Sequence, residues 1–167
     1  MKKRVNKEAL FVLTAFIICF AFVNVVCIAL PALKITHETS AFIREGKVEG
    51  LRAIAGGTVS SGDATNNFNM LNAKFNPLSL FGYLFPLLGC IIAMFALSKK
   101  SQILYYIVGA ICLTSGIITL CEGVIFKVVN NIPHYEVSLL AGPIIGGICG
   151  ILAGLASIGS WYIFNKN

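Results

Sequence analysis

Few residues of this sequence carry the side chains from which catalytic or metal sites are built. Six cysteines occur: Cys19, Cys27, Cys90, Cys112, Cys121 and Cys149. None forms a Cys-x-x-Cys pair, and all fall within or at the edges of long apolar stretches. There a thiol serves as a small packing group. A membrane thiol oxidoreductase exchanges disulfides through paired cysteines at the membrane surface, and that pattern is missing. Cys27 and Cys121 fall at the same end of their stretches, where a bridge between them is geometrically open. Imidazole and carboxylate come close at His37-Glu38 and at His134 with Glu136. Those spacings match no metal-ligand motif, so the four residues are read as solvated loop residues. No Ser/His/Asp set, His-Glu-x-x-His or phosphate-binding loop occurs. The sequence points to no enzyme activity, no metal and no cofactor.

Two other polar residues stand out. Asn24 is the most polar residue deep in an apolar stretch, and interhelical hydrogen bonding is its expected role. Glu122 follows the third stretch. It is expected at headgroup level, solvated, with Lys127 as a candidate neighbour. A helix C-terminus there is a mildly unfavourable place for a negative charge. Transport across membranes usually leaves ionisable residues inside the spans. The deep parts of these stretches hold none, so proton-coupled transport by this chain alone is not expected.

The elements that must carry these residues follow from composition. The chain has 167 residues, 57% hydrophobic and 12% charged, against about 25% charged in an ordinary soluble domain. Mean hydropathy is +0.84. A soluble domain of this size cannot hide so much apolar surface behind a charged exterior. The expectation is one integral membrane domain over residues 1–167.

A bilayer core about 30 Å thick takes roughly 20 apolar residues in a helix. Residues 9–33, 78–97, 103–121 and 139–164 qualify. They are too long and too continuous for membrane β-strands. Asn76-Pro77 reads as a helix N-cap followed by the first helical position. The first stretch opens like a signal peptide, but its apolar run is too long for one. A retained anchor is expected. The fold class is therefore an all-α membrane protein, a four-helix bundle. Its loops cover residues 34–76 and 122–138.

Charge orients the bundle. With the N-terminus inside, the inner segments hold Lys2, Lys3, Arg4, Lys7, Lys99, Lys100 and Lys166 against Glu8 alone. The outer loops balance Lys and Arg with Glu and Asp. Basic residues near span ends set orientation, so both termini are expected in the cytoplasm of a cell-membrane protein. The net charge of +6 then reflects topology and anionic inner-leaflet lipid, and needs no nucleic-acid partner.

The large outer loop divides in two. Residues 35–55 carry β-branched and apolar residues around a turn signal at Arg44-Glu45-Gly46-Lys47. A short β-hairpin fits, and so does a short amphipathic helix over residues 48–55. Gly50, Leu51 and Ile54 are the candidate outer contacts. Residues 56–69, rich in Gly, Ser, Thr, Asp and Asn, read as a turn-rich segment. Ser98-Lys99-Lys100-Ser101 is a tight connection that forces spans two and three into an antiparallel hairpin.

The last span has the sharpest local pattern: Gly142, Gly146, Gly150 and Gly154, each four residues on. Residues four apart share a helix face, and glycine there lets another backbone approach closely. Packing inside the bundle is the first reading. An interface with a second copy or another membrane protein is the other.

The chain is similar in topology to tetraspan proteins of the claudin kind: both ends inside, a large first outer loop, a small second one. The claudin loop signature is missing, since Gly50-Leu51-Arg52 is followed by no tryptophan and the loop has no cysteine. Junction formation is therefore not implied. The stretches Gly50-Leu51-Arg52-Ala53-Ile54-Ala55-Gly56 and Phe75-Asn76-Pro77-Leu78, then Gly82-Tyr83-Leu84-Phe85-Pro86-Leu87, resemble those of small bacterial four-span proteins. That resemblance, to a group that carries no assigned activity, implies the membrane fold alone. The expected function is non-enzymatic: a subunit or assembly factor of the cell envelope, set in the lipid bilayer, that binds a partner through its helix faces or its outer loop. The alternative is a small oligomeric channel, transporter component or holin-like pore built through the glycine stripe.

Overall fold

The structure is a computed structural model that describes residues 7–38, 43–61 and 68–166. In chain order its helices are α1 (Lys7–Val26), α2 (Gly50–Ala55), α3 (Pro77–Lys99), α4 (Gln102–Leu120), α5 (Glu122–Asn130) and α6 (Ala141–Lys166). Its strands are β1 (Pro31–Glu38), β2 (Ile43–Glu49), β3 (Gly57–Ser61), β4 (Phe68–Ala73) and β5 (Glu136–Leu139). Four segments are helical, long and apolar enough to cross a membrane: Lys7–Ala29, Pro77–Lys99, Gln102–Leu120 and Ala141–Phe164.

Helices α1, α3, α4 and α6 form a ring in which α4 packs on α3 and α6, and α1 packs on α6 and α3. The ring is apolar outside, and its interior mixes apolar side chains such as Leu10, Ile17 and Val108 with small and polar ones. Phe11, Phe16, Phe22, Leu88, Phe95 and Leu155 are exposed, while Thr14, Asn24, Ser115, Thr119, Ser157 and Ser160 are buried. Such an exterior suits a lipid surrounding, and interhelical hydrogen bonds join the spans inside. At one level the Thr14 hydroxyl donates to the Leu10 carbonyl at 2.8 Å and pairs with the Tyr105 hydroxyl at 2.7 Å. Ser157 donates to the Tyr105 carbonyl at 2.6 Å, so one residue of α4 ties α1 to α6.

The helix ends follow local chemistry. Asn76 caps α3, its Oδ1 accepting from the Ser79 amide at 3.3 Å, and Pro77 takes the first helical position. Lys100 adopts a left-handed conformation (φ 50°), with its amide donating to the Ala96 carbonyl. This reversal makes the tight α3–α4 hairpin that the short connection predicts. The first span is shorter than expected. Residues 31–33 belong to β1, because Pro31 holds Leu30 extended (φ −87°, ψ 156°) and the helix stops at a 3-10 turn over Cys27–Ala29.

The main correction concerns the loops. An all-α description fails, because both loops contribute to one five-stranded antiparallel sheet in the order β4-β3-β2-β1-β5. Residues 35–55 contain both a paired hairpin, β1 with β2, and a short helix, α2, but with other bounds than either reading gave: α2 starts only at Gly50. The supposed turn signal Arg44–Lys47 lies inside β2. The turn-rich reading of residues 56–69 gives way to β3 and the start of β4, while residues 62–67 fall outside the described residues. The small loop holds α5 and β5. Leu33 of β1 pairs with Leu139 of β5, and Ile35 with Val137. Gly56, at φ 81°, makes the turn from α2 into β3, a conformation that side chains resist.

Strand alternation gives the sheet two faces. Leu33, Ile35, Val48, Val59 and Ala73 point inward and pack on Phe126 and Ile132 at α5. Lys34, Thr36, Glu38, Glu45 and Ser138 point the other way, around an open groove. The sheet curls around α5: the Lys74 amide donates to Asn130 Oδ1 at 2.7 Å and the Tyr135 hydroxyl to the Met70 carbonyl at 3.3 Å. Because β1 leaves α1 and β5 enters α6, with the Leu140 amide donating to the Ala32 carbonyl at 2.8 Å, the cap is joined directly to two spans.

Candidate functional site

Three places bear on function: a polar junction under the sheet, the glycine face of α6, and the outer groove.

The junction is built from α3 upward. Asn76, Ser79 and Tyr83 lie three and four residues apart, on one helix face, and all three are buried. Glu122 meets them from α5. It is fully buried, and Ser79 Oγ donates to its Oε1 at 2.6 Å. Among the described residues, its other oxygen, Oε2, has no hydrogen-bond partner, and neither has the Tyr83 hydroxyl or Asn76 Nδ2. Burial pushes the Glu122 carboxyl up to about 7, with the Ser79 hydrogen bond acting in the opposite direction. Tyr83 packs with Cys27 at the end of α1 and with Ile54 of α2, so the junction gathers the bundle's sheet-bearing end.

This corrects the expected setting of Glu122. The helix breaks at Cys121, whose amide donates to the carbonyls of Ile117 and Ile118. Glu122 therefore opens α5 instead of closing α4. Its charge faces the favourable end of a helix dipole, and it is dry instead of solvated. Lys127 lines the outer groove instead. No sequence signal marks this, because Ser79 lies 43 positions away.

Asn24 takes the interhelical role expected of it. Its Nδ2 reaches the Gly82 carbonyl of α3 at 3.5 Å and Ser115 Oγ of α4 at 3.4 Å. The Ser115 hydroxyl also donates to the Gly82 carbonyl, and Thr119 donates to the Ser115 carbonyl at 2.9 Å.

The glycine face of α6 is occupied within the chain. A Cβ at Gly142 would stand 3.1 Å from the carbonyl oxygens of Cys27 and Pro31, and one at Gly146 2.9 Å from Asn24 Oδ1. At Gly150 it would meet Gly116 Cα at 2.8 Å, and at Gly154 the Leu113 amide nitrogen at 3.0 Å. The stripe thus seats α1 and α4, which is the packing reading. The pore alternative drew on this stripe as an intermolecular surface, and its neighbours here are α1 and α4.

The outer-loop contacts separate likewise. Leu51 is 61% exposed, but Ile54 is 5% exposed and faces Tyr83 and Cys27. Gly50 is buried, where a Cβ would meet the Ile28 carbonyl at 2.7 Å. Gly50 and Ile54 therefore anchor α2, and Leu51 alone of the three is available at the surface.

The groove lies on the outward face of β1, β2 and β5 and has a volume of about 620 Å3. It is lined by Glu38, Glu45, Glu136, Lys34 and Lys127, with Ile43 at its side. Lys34 and Glu45 form an ion pair at 2.7 Å. Such an exposed pair adds little stability, but it fixes two charges in place. The histidine–carboxylate sets are split: His37 faces inward and stacks on Tyr135 at 4.4 Å, while Glu38 and Glu136 line the groove. Among the described residues, no group of three or more His, Cys, Asp or Glu side chains is placed to hold a metal. All six cysteines are free, with Cys27 buried and Cys121 exposed.

No protein-family model matches the chain, and no curated protein matches it.

Proposed function

We propose that this chain is a non-enzymatic, multi-pass protein of the cell membrane that binds a partner protein through its sheet. The partner makes it a subunit or assembly factor of the envelope. Both termini lie in the cytoplasm and the sheet lies outside, as the basic residues Lys2, Lys3, Arg4, Lys7, Lys99 and Lys100 favour.

The supporting observation is the groove. A curved sheet held on two spans offers a polar concavity of about 620 Å3 with three carboxylates to two ammonium groups. Its inward face is fully used by α5 and the core, so the outward face is the one left for recognition. Glu38 and Glu136 suit a partner that presents basic side chains, with Ile43 as the apolar contact beside them. Charge complementarity of this kind governs specificity and association rate more than raw affinity.

The test is a tagged full chain, crosslinked in native membranes and purified in mild detergent, beside a Glu38→Lys/Glu136→Lys variant. The expected result is a second protein at fixed stoichiometry with the original chain. Its recovery should drop about tenfold in the variant, a loss of about 1.4 kcal/mol. Equal recovery from a variant of unchanged fold removes the groove from the interface.

A further inference from the structure

The junction beneath the sheet buries a carboxyl group with no cation paired to it among the described residues. Glu122 has one oxygen satisfied by Ser79 and one bare. The groups that face it are polar and uncharged. From α3 come Asn76, Ser79 and Tyr83, and Cys27 at the end of α1 packs on Tyr83. Cys121, at the break, is exposed. Val137 and Leu139 of β5 stand by the neighbouring Gly123. The nearby charged side chains of the cap, Lys127 on α5 and Glu136 on β5, line the outer groove instead.

A buried carboxylate without a counter-charge is relieved most simply by a proton. Protonation removes the charge and turns bare Oε2 into an O–H donor. The Tyr83 hydroxyl is buried in the same junction and is itself unpartnered among the described residues. We propose that Glu122 is a proton-binding site that fastens α5, and with it the sheet, to α3. Protonated, the carboxyl stays dry in the junction, held by Ser79. Ionised, it seeks water, and the α3–α5 contact loosens. Burial pushes the carboxyl up to about 7, which sets the expected transition within the ordinary range of cellular and extracellular pH. The lock is closed on the acidic side and relaxes on the alkaline side. This holds whatever occupies the groove.

The experiment uses the full chain in lipid nanodiscs, from about pH 5.5 to about pH 8.5. Hydrogen exchange of the α5 amides is measured and corrected for the intrinsic pH dependence of exchange. The protonated-carboxyl infrared band is followed in parallel. The original chain should lose about tenfold in α5 protection across this range, with the carboxyl band fading near pH 7. Glu122→Gln should keep its protection throughout. Ser79→Ala removes the hydrogen bond that favours the charged form, so both transitions should move to higher pH. Flat protection in the original chain overturns the proposal. So does an equal slope in Glu122→Gln, or a carboxyl band lost already near 4.5, the ordinary value for this side chain. If Glu122→Gln fails to fold, an unmoved midpoint in Ser79→Ala overturns it alone.

Discussion

Replacing Gly150 by alanine should separate α4 from α6. The new Cβ would stand 2.8 Å from Gly116 Cα, 3.1 Å from Gly116 N and 3.1 Å from Asn24 Nδ2. Two of these atoms are backbone and cannot rotate away. Ordinary contact begins near 3.4 Å, so the helices must part by about 0.6 Å locally. A gap of that size forfeits roughly a quarter to a half of each dispersion contact along the seam. The α4–α6 seam is the most extensive in the bundle, and Gly116 fits against Gly147 and Ile151 in the same tight place. Overpacking of this kind costs about 1–3 kcal/mol, less a gain of up to about 1 kcal/mol from the helix propensity of alanine. The net expectation is a loss of about 1–2 kcal/mol. Gly159 provides the control. A Cβ there has its nearest neighbour, Leu13 Cδ1, at an ordinary 3.8 Å, so Gly159→Ala should be neutral or slightly stabilising. The assay is reversible unfolding in mixed micelles, followed by circular dichroism, with the mass of the protein–detergent complex measured on the same samples. Equal stability of the two variants would refute the reasoning. A change in oligomeric mass with stability unaltered would place the stripe at an interface between chains.

Two further outcomes are expected. Thr14→Val should strand the buried Tyr105 hydroxyl, which pairs with Thr14 at 2.7 Å, and cost about 1–3 kcal/mol. Thr14→Ser should restore most of that, and unfolding midpoints in one detergent decide the matter. Second, the Glu122 carboxyl titrates at about 7 folded against an ordinary 4.5, so the folded state holds its proton more tightly. Its contribution is fully present below about pH 4.5 and lost as pH rises through about 7. That amounts to roughly 3 kcal/mol, and Glu122→Gln should flatten this part of the stability profile.

The four spans were legible in the sequence because hydropathy is a local property. A helix in lipid satisfies its own backbone, so some 20 apolar residues suffice to define one. The Asn76-Pro77 start of α3 and the tight turn at Lys99-Lys100 were legible for the same reason, since caps and turns depend on neighbouring residues. The glycine period of α6 showed that a backbone must come close. It could not show which one, and packing alone assigned Cys27 and Pro31, Asn24, Gly116 and Leu113 to its successive positions.

The sheet and the junction belonged to the tertiary structure. Strands of four to eight residues are completed by hydrogen bonds to remote partners, as when Leu33 pairs with Leu139. Composition alone made residues 56–69 look like turns, although β3 and β4 pair over much of that stretch. Glu122 shows the same limit in a single residue. One charged side chain just past an apolar stretch reads as solvated. Its actual state depends on a helix break at Cys121, on Ser79 arriving from α3, and on the sheet packing over α5. The sequence by itself determined that four apolar helices exist and roughly where they lie, because each meets its own backbone needs, while the exact ends of the first and last were set by strands β1 and β5. Only the tertiary structure decided which polar groups were left dry, because burial is a property of the neighbours that segments distant in the chain bring together.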